Sequence, residues 1–165
     1  MMVINVINQH FYQVCSAPLA DKLGDAMSTS LDALFSPPST KRTRILLADD
    51  DRQMLASIST LLQVDFDVVG AVSDGQSLVE AAFEHRPDII VTDISMPRLN
   101  GIAAACKIRD SVPGIKFIFL TMHNNRWYRT KALSAGAVAY ILKSSAREKL
   151  NQAIHDAREG RISPL

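Results

Sequence analysis

From residue 44 onward, short runs of aliphatic and β-branched residues alternate with longer stretches whose apolar positions recur at a helical period. Continuous apolar runs of this length are typical of strands that are buried on both faces. The predicted strands are 45–48, 67–72, 89–92, 117–120 and 137–142. The intervening stretches and the last stretch predict helices over 52–63, 76–85, 100–111, 125–135 and 145–159. Because each crossover helix must pack back over the sheet, this alternation predicts an α/β fold, a doubly wound five-stranded parallel sheet.

Polar groups follow most of the predicted strands. The first strand runs into three aspartates at 49–51, the third into Asp93, the fourth into Thr121 and the fifth into Lys143, whereas the second ends in the turn-like segment 73–75. Ligands of such sheets bind at the carboxyl ends of the strands. Groups that can handle a phosphoryl group or a metal ion are therefore expected to gather at one edge, and their joint placement is more specific than any single residue.

Four segments carry a resemblance to a known family: ILLADD at 45–50, DISMPRLNG at 93–101, LTMH at 120–123 and YILK at 140–143. In order and spacing they resemble the receiver domains of two-component response regulators, over about residues 44–161, and within that family the NarL/FixJ branch. The resemblance implies a flavodoxin-like strand order of 2-1-3-4-5. It also implies phosphoryl transfer to an aspartate from a sensor histidine kinase or a phosphotransfer protein.

The residues themselves suggest how this chemistry is divided. A carboxylate nucleophile can form an acyl phosphate, and Asp93 is the predicted acceptor because it stands at a strand end before a proline-bearing loop. Three carboxylates at adjacent strand tips would repel each other without a cation, which predicts Mg²⁺ as the cofactor. Asp50 and Asp93 are expected to bind Mg²⁺ directly and Asp49 through water. By resemblance, the backbone carbonyl of Ser95 completes the protein ligands.

Two further residues are expected to handle the phosphoryl oxygens. Lys143 is expected to pair with Asp93 and then with the phosphoryl group, while the Thr121 hydroxyl donates to another oxygen. The resemblance couples Thr121 to Tyr140, which is expected on the opposite strand face from Lys143. Phosphorylation would then change partner binding at the surface formed by the fourth helix, fifth strand and fifth helix. Trp127 in the fourth helix has two interpretations, partly buried packing or an exposed partner contact.

Several nearby residues have structural interpretations. Asp51 is predicted to cap the first helix and is excluded from the metal site. Asn100 and Gly101 are expected to shape a helix start, and Cys106 is expected to pack within the third helix. His123 either borders the site or is an ordinary loop histidine.

The first 43 residues are predicted to be a loosely ordered extension and linker, with residues 44–165 as the receiver domain. Consecutive prolines at 37–38 predict the linker, and residues 19–26 are compatible with a short helix. Met27 is an alternative translation start to Met1, and the sequence does not decide between them.

Composition narrows the function further. The 165 residues are about one domain's worth of chain, and 47% are hydrophobic, as in globular proteins. No apolar run is long enough for a membrane span, and Cys15 and Cys106 lack the spacing of a disulfide framework or zinc site. Eighteen Lys and Arg against 17 Asp and Glu offer no general field for DNA. We therefore expect a cytoplasmic protein that does not bind DNA by itself and acts on an unknown downstream protein. A homodimer is possible.

Two other functions compete with this interpretation. Haloacid-dehalogenase-type phosphatases also use a strand-end aspartate with a second acid two residues on, which Asp49 and Asp51 imitate, but Gln53 and Ser95 do not suit their pattern. Continuous release of phosphate from small esters would distinguish such an enzyme from a receiver, for which only its own phosphotransfer and slow autodephosphorylation are expected. The other alternative is a non-phosphorylated interaction module, usually marked by loss of the acid pair, the acceptor or the lysine. None of these is lost here.

Overall fold

The computed structural model describes residues 41–122 and 124–162. The strands are β1 (Arg44–Ala48), β2 (Asp67–Val72), β3 (Ile89–Asp93), β4 (Lys116–Thr121) and β5 (Ala137–Leu142). The helices are α1 (Arg52–Leu62), α2 (Gly75–His85), α3 (Gly101–Ser111), α4 (Arg126–Ser134) and α5 (Ala146–Arg158), with a 3₁₀ turn at Lys143–Ser145 after β5.

The five strands form one parallel sheet in the order β2-β1-β3-β4-β5. The predicted α/β fold and the strand order 2-1-3-4-5 are therefore confirmed. The chain moves outward from β1 to β2 and then returns to the other side of β1 as β3. This reversal places the carboxyl ends of β1 and β3 side by side, which is where ligands bind in open α/β sheets.

Alternate residues of the strands face opposite sides of the sheet, and each side carries its own apolar core. On β1, Ile45 and Leu47 pack in the layer that includes α1 and α5, while Leu46 and Ala48 pack in the layer that includes α2, α3 and α4. Fully buried strands with both faces covered explain why β1, β3 and β4 are almost continuously apolar.

Each observed strand and helix begins and ends within one residue of its predicted bounds. β3 includes Asp93 and β4 includes Thr121, because Asp93 is in register with Leu120 and Thr121 with Leu142 in the parallel ladder. Lys143 lies just beyond β5 in the 3₁₀ turn. The strand pairing therefore extends up to the polar residues and fixes their backbone.

The predicted roles of Asp51 and Asn100 at helix starts are confirmed. The Asp51 side chain accepts hydrogen bonds from the backbone N–H groups of Gln53 at 2.8 Å and Met54 at 3.1 Å, and Asn100 accepts from Ala103 at 2.8 Å. These contacts satisfy N–H groups that have no partner within the first turn. Asp51 is thereby occupied as the cap of α1.

Some predictions concern residues outside the described part of the chain. They are the linker at 37–38, the short helix at 19–26, most of the predicted extension at 1–43, Cys15, and the role of His123. Among the described residues, no helix is long and apolar enough to cross a membrane.

Candidate functional site

Three predicted metal ligands come together at the carboxyl edge of β1 and β3. One carboxylate oxygen each from Asp49, Asp50 and Asp93 lies within 4.8 Å of the others. Asp49 and Asp93 are buried, at 3% and 5% exposure, whereas Asp50 is exposed. The cluster therefore combines two buried carboxylates with one exposed carboxylate, so a small molecule can reach it from solvent.

Lys143 connects the two buried carboxylates. Its Nζ donates to Oδ2 of Asp93 at 2.7 Å and to Oδ1 of Asp49 at 2.9 Å. The ammonium reaches them from the turn after β5, with its side chain only 8% exposed. Lys143, just after β5, thus contacts aspartates at the ends of β1 and β3. The sequence predicted its pairing with Asp93 but not its contact with Asp49.

Among the described residues, the cluster contains more carboxylates than cations. By formal charge, three carboxylates and one ammonium leave two negative charges in excess. Burial raises the pKa of Asp49, assisted by the nearby Asp93, even though hydrogen bonds from Lys143 and from the Asp51 N–H act in the opposite direction. Oδ2 of Asp49 lies 2.7 Å from the Lys143 nitrogen, but it is a buried atom without a hydrogen-bond partner of suitable geometry among the described residues.

The neighbouring carboxylates shift the pKa of Lys143 in the direction that keeps it charged. Burial lowers its pKa, but the hydrogen bonds and the negative charges of Asp49 and Asp93 outweigh burial, so the pKa is raised overall. The ammonium therefore stays charged at neutral pH and is available to an incoming anion.

The backbone around Asp93 is fixed by close contacts. The Ile94 N–H donates to Oδ1 of Asp93 at 2.6 Å, so both carboxylate oxygens of Asp93 have partners. A Cβ at Gly101 would lie 1.9 Å from the Asp93 carbonyl oxygen. Only glycine allows α3 to begin this close to the end of β3, which gives Gly101 the structural role expected of it.

Thr121 and Tyr140 are adjacent, as the predicted coupling requires. Thr121 is fully buried at the end of β4, and Tyr140 on β5 is 7% exposed. Burial raises the pKa of the Tyr140 phenol, while a hydrogen bond with Thr121 and the charge of Arg129 lower it. Tyr140 packs in the same core layer as α2, α3 and α4, so its ring already points inward in this structure.

The structure shows that Trp127 is exposed, and the predicted partner contact stays a prediction. The Trp127 side chain at the start of α4 is 59% exposed and contacts Tyr128 edge-to-face, with centroids 5.0 Å apart. A groove between α4, β5 and α5 is lined by residues that include Arg129, Tyr140 and Glu148, and Trp127 is not among its lining residues.

Ser95 is exposed in the loop after β3 and follows Asp93 by two residues. The sequence interpretation missed a different pair, Asp74 and Arg98, which form an ion pair across the β2–α2 and β3–α3 connections. Asp74 is buried, although its segment was interpreted only as a turn. The available signal was an aspartate before a glycine at the predicted start of a helix.

Comparison with known proteins places the chain in a family. A family model described as the response regulator receiver domain matches residues 45–155. Oxygen regulatory protein NreC of Staphylococcus epidermidis is 37% identical over 120 residues, which are 71% of this chain and 55% of NreC. Transcriptional regulatory protein DesR of Bacillus subtilis is 34% identical over 119 residues, or 71% of this chain and 59% of DesR. The chain thus spans about half the length of the curated relatives it matches.

Solved structures agree with this assignment. A two-component response regulator of the LuxR family from Aurantimonas has a TM-score of 0.71 and 31% identity, and the match covers 74% of this chain and 89% of that one. The non-phosphorylated receiver domain of the stress response regulator RcsB from Escherichia coli has a TM-score of 0.68 and 26% identity, covering 73% and 96%. The chain belongs to the receiver domains of two-component response regulators, which are signalling modules.

Proposed function

We propose that this chain accepts a phosphoryl group on Asp93 from a sensor histidine kinase or a phosphotransfer protein, and that the modified site switches partner binding. The observation that carries the proposal is the arrangement at the edge of β1 and β3. The Asp93 carboxylate lies among Asp49, Asp50 and Lys143, with the Lys143 nitrogen 2.7 Å from one of its oxygens. A nucleophilic carboxylate with a cation beside it suits the formation of an acyl phosphate.

The chemistry of the ligands fits Mg²⁺. Two excess negative charges, and an Oδ2 on Asp49 that lies near Lys143 but has no hydrogen bond of suitable geometry among the described residues, match a divalent cation that prefers oxygen ligands. Asp50 and Asp93 would hold the ion directly, Asp49 through water, and the Ser95 carbonyl would supply a further oxygen. When bound, Mg²⁺ would neutralise charge on the phosphoryl oxygens.

The residues of the chain would carry out the transfer as follows. An oxygen of Asp93 bonds to the phosphorus as the bond between phosphorus and the donor nitrogen breaks, and the donor histidine, already protonated on its other ring nitrogen, leaves as neutral imidazole. Lys143 exchanges its contact with the Asp93 carboxylate for a phosphoryl oxygen, and the Thr121 hydroxyl donates to another. Asp93 is regenerated by slow attack of water on phosphorus, which is the autodephosphorylation expected of the chain itself.

The output surface follows from the contact between Thr121 and Tyr140. When the Thr121 hydroxyl turns toward a phosphoryl oxygen, it loses its hydrogen bond with Tyr140 and vacates space near α4, and the population of the Tyr140 ring shifts further toward the inward orientation that fills this space. Tyr140 also lines the groove beside α4 and α5. Phosphorylation would therefore change the shape of the surface of α4, β5 and α5, and a downstream protein would bind there.

The extent of the domain and its partners belong to the same proposal. Residues 44–165 would form the receiver domain, with 1–43 as an extension. Its near-neutral charge, +1 overall, gives this chain little attraction for DNA, although relatives such as DesR are transcriptional regulators. We propose that it acts through protein contacts, including contacts between two copies, and does not itself bind DNA.

Intact-mass measurement after incubation with acetyl phosphate tests the central claim. The chain should gain the mass of one phosphoryl group when Mg²⁺ is present and none when the metal is chelated by EDTA. Asp93→Asn should abolish the gain, whereas the matched change Asp51→Asn, at the cap of α1, should leave it intact. Full phosphorylation of Asp93→Asn would overturn the assignment of the acceptor.

A further inference from the structure

Asp74 makes more contacts than a helix cap requires. Its carboxylate accepts from the N–H groups of Gln76 and Ser77, both at 2.9 Å, and from the Ser77 hydroxyl at 2.8 Å. It is also ion-paired with Nη2 of Arg98, which in turn lies 3.1 Å from the Ser77 hydroxyl oxygen. The Asp74 side chain is 2% exposed, whereas that of Arg98 is 62% exposed. Arg98 therefore reaches from the surface into a buried acid on another connection of the fold.

Arg98 belongs to the loop between β3 and α3, residues 94–100, which we name the acceptor loop. Its φ of +63° lies in the left-handed region that residues other than glycine rarely adopt. Gly75, the first residue of α2, lies so close to the same loop that a Cβ there would be 1.9 Å from the carbonyl oxygen of Leu99. The amino end of α2 thus holds the far end of the acceptor loop through both a side chain and its backbone.

The near end of this loop is part of the site. The Ile94 N–H donates to the Asp93 carboxylate at 2.6 Å, and the Ile94 carbonyl accepts from the Gly101 N–H at 2.9 Å, which closes the loop. Ser95 lies between this closure and Arg98. With both ends held, the position of the Ser95 carbonyl depends on the conformation at Arg98.

We propose that Asp74 and Arg98 are positioning residues, whose ion pair holds the acceptor loop in the geometry that binds Mg²⁺ beside Asp93. The inference rests on the proposed function, because it assigns the Ser95 carbonyl to the metal. Neither residue touches the metal or the reacting atoms. An isolated surface ion pair would contribute little, but here one partner is buried and its charge would otherwise lack a counterion.

The test is a Mg²⁺ titration of the full chain, followed by the backbone amide NMR signals of Ile94 and Gly101. We expect Asp74→Asn and Arg98→Gln each to weaken Mg²⁺ binding about 10-fold, as loss of a group that orients metal ligands typically does. The double variant should be no weaker than the singles, because both remove one contact. Arg98→Lys, which keeps the charge, should restore part of the affinity.

The phosphorylation rate adds a second measurement. With acetyl phosphate, the variants should need about 10-fold more Mg²⁺ for half-maximal rate but reach nearly the wild-type rate at saturation. Arg109→Gln is the matched control, since this exposed arginine pairs with Asp110 and donates to the Ser134 carbonyl at 2.7 Å, at the end of α4. It should leave Mg²⁺ affinity unchanged.

Wild-type Mg²⁺ affinity in both folded variants would overturn the inference and reduce the pair to a stabilising contact. If Asp74→Asn does not fold, Arg98→Gln and Ser77→Ala decide in its place, because the Ser77 hydroxyl contacts both partners. Failure of the wild-type chain to be phosphorylated would contradict the proposed function instead, while the Mg²⁺ affinities would still judge the ion pair.

Discussion

Two acidic groups of this protein, the aspartates around Asp93 and the single Asp74, differ in how their charge is balanced. Around Asp93, Lys143 pairs with two of the three carboxylates, and burial raises the pKa of Asp49. At Asp74, burial also acts to raise the pKa, but hydrogen bonds with Ser77 and Arg98 outweigh it and the pKa is lowered. Among the described residues, the first group has more carboxylates than cations, whereas every carboxylate oxygen of the second is hydrogen-bonded.

The difference distinguishes the proposed metal site from the ion pair that we propose positions it. Buried carboxylates with excess charge are costly for the fold, and such groups concentrate where a ligand compensates them. A buried carboxylate with every oxygen hydrogen-bonded instead fixes the geometry around it. The edge of the sheet therefore combines an acidic cluster with excess negative charge and a neighbouring carboxylate whose oxygens are all hydrogen-bonded.

The largest expected effect contrasts the two groups by neutralising one carboxylate in each. Asp74→Asn should lower the free energy of unfolding by about 2 kcal/mol, because it weakens charge-assisted hydrogen bonds to a buried group. Asp49→Asn should change it by less than about 1 kcal/mol, since the lost bond to Lys143 is offset by relief of a buried excess charge. Urea unfolding at pH 7 in EDTA measures both, and equal losses would remove the distinction between the two groups.

Much of the fold could be predicted from the sequence because its determinants are local. The strands are buried on both faces, so their apolar runs stand out, and Asp51 and Asn100 mark helix starts. The site could also be predicted, since the carboxyl ends of parallel strands bring Asp49, Asp93 and Lys143 to one edge whatever the details of the loops. Here topology alone determined the neighbours.

The ion pair of Asp74 and Arg98 could not be predicted in this way. The two residues are 24 positions apart, and their contact depends on a left-handed backbone at Arg98 and on the close approach of Gly75 to Leu99. Neither feature leaves a periodic pattern. The inward orientation of Tyr140 in this structure was likewise not predictable, because its strand position allows the ring to turn either way.

The next prediction uses pH to sharpen the contrast. The pKa of Asp74 is lower in the folded chain than in the unfolded chain, where it is about 3.9. Its contribution to stability is therefore fully present above that value and is lost as the pH falls through the folded pKa. The difference in free energy of unfolding between wild type and Asp74→Asn should be constant from about pH 5 to 7 and shrink below about pH 4.

Comparing the two proteins at each pH cancels the titration of the other groups, so urea unfolding of both across this range suffices. Arg109→Gln serves as the control, since its ion pair is exposed and its difference from wild type should vary little with pH. A difference for Asp74→Asn that grows toward acid would show that Asp74 is not ionised in the folded chain.

The smallest expected effect is a change in the fluorescence emission of Trp127, which reports on α4. Trp127 is the only tryptophan, it is exposed at the start of α4, and Lys131 lies over its ring at 5.7 Å. Adding Mg²⁺ and acetyl phosphate should therefore change its emission modestly, as α4 responds to Thr121 and Tyr140.

The change should disappear in Asp93→Asn and weaken in Thr121→Ala. In Asp74→Asn at saturating Mg²⁺ it should persist, because that contact holds the acceptor loop and not α4. If emission responds unaltered in both Thr121→Ala and Tyr140→Ala, the signal reaches α4 by another route, even if Asp93 is phosphorylated as proposed.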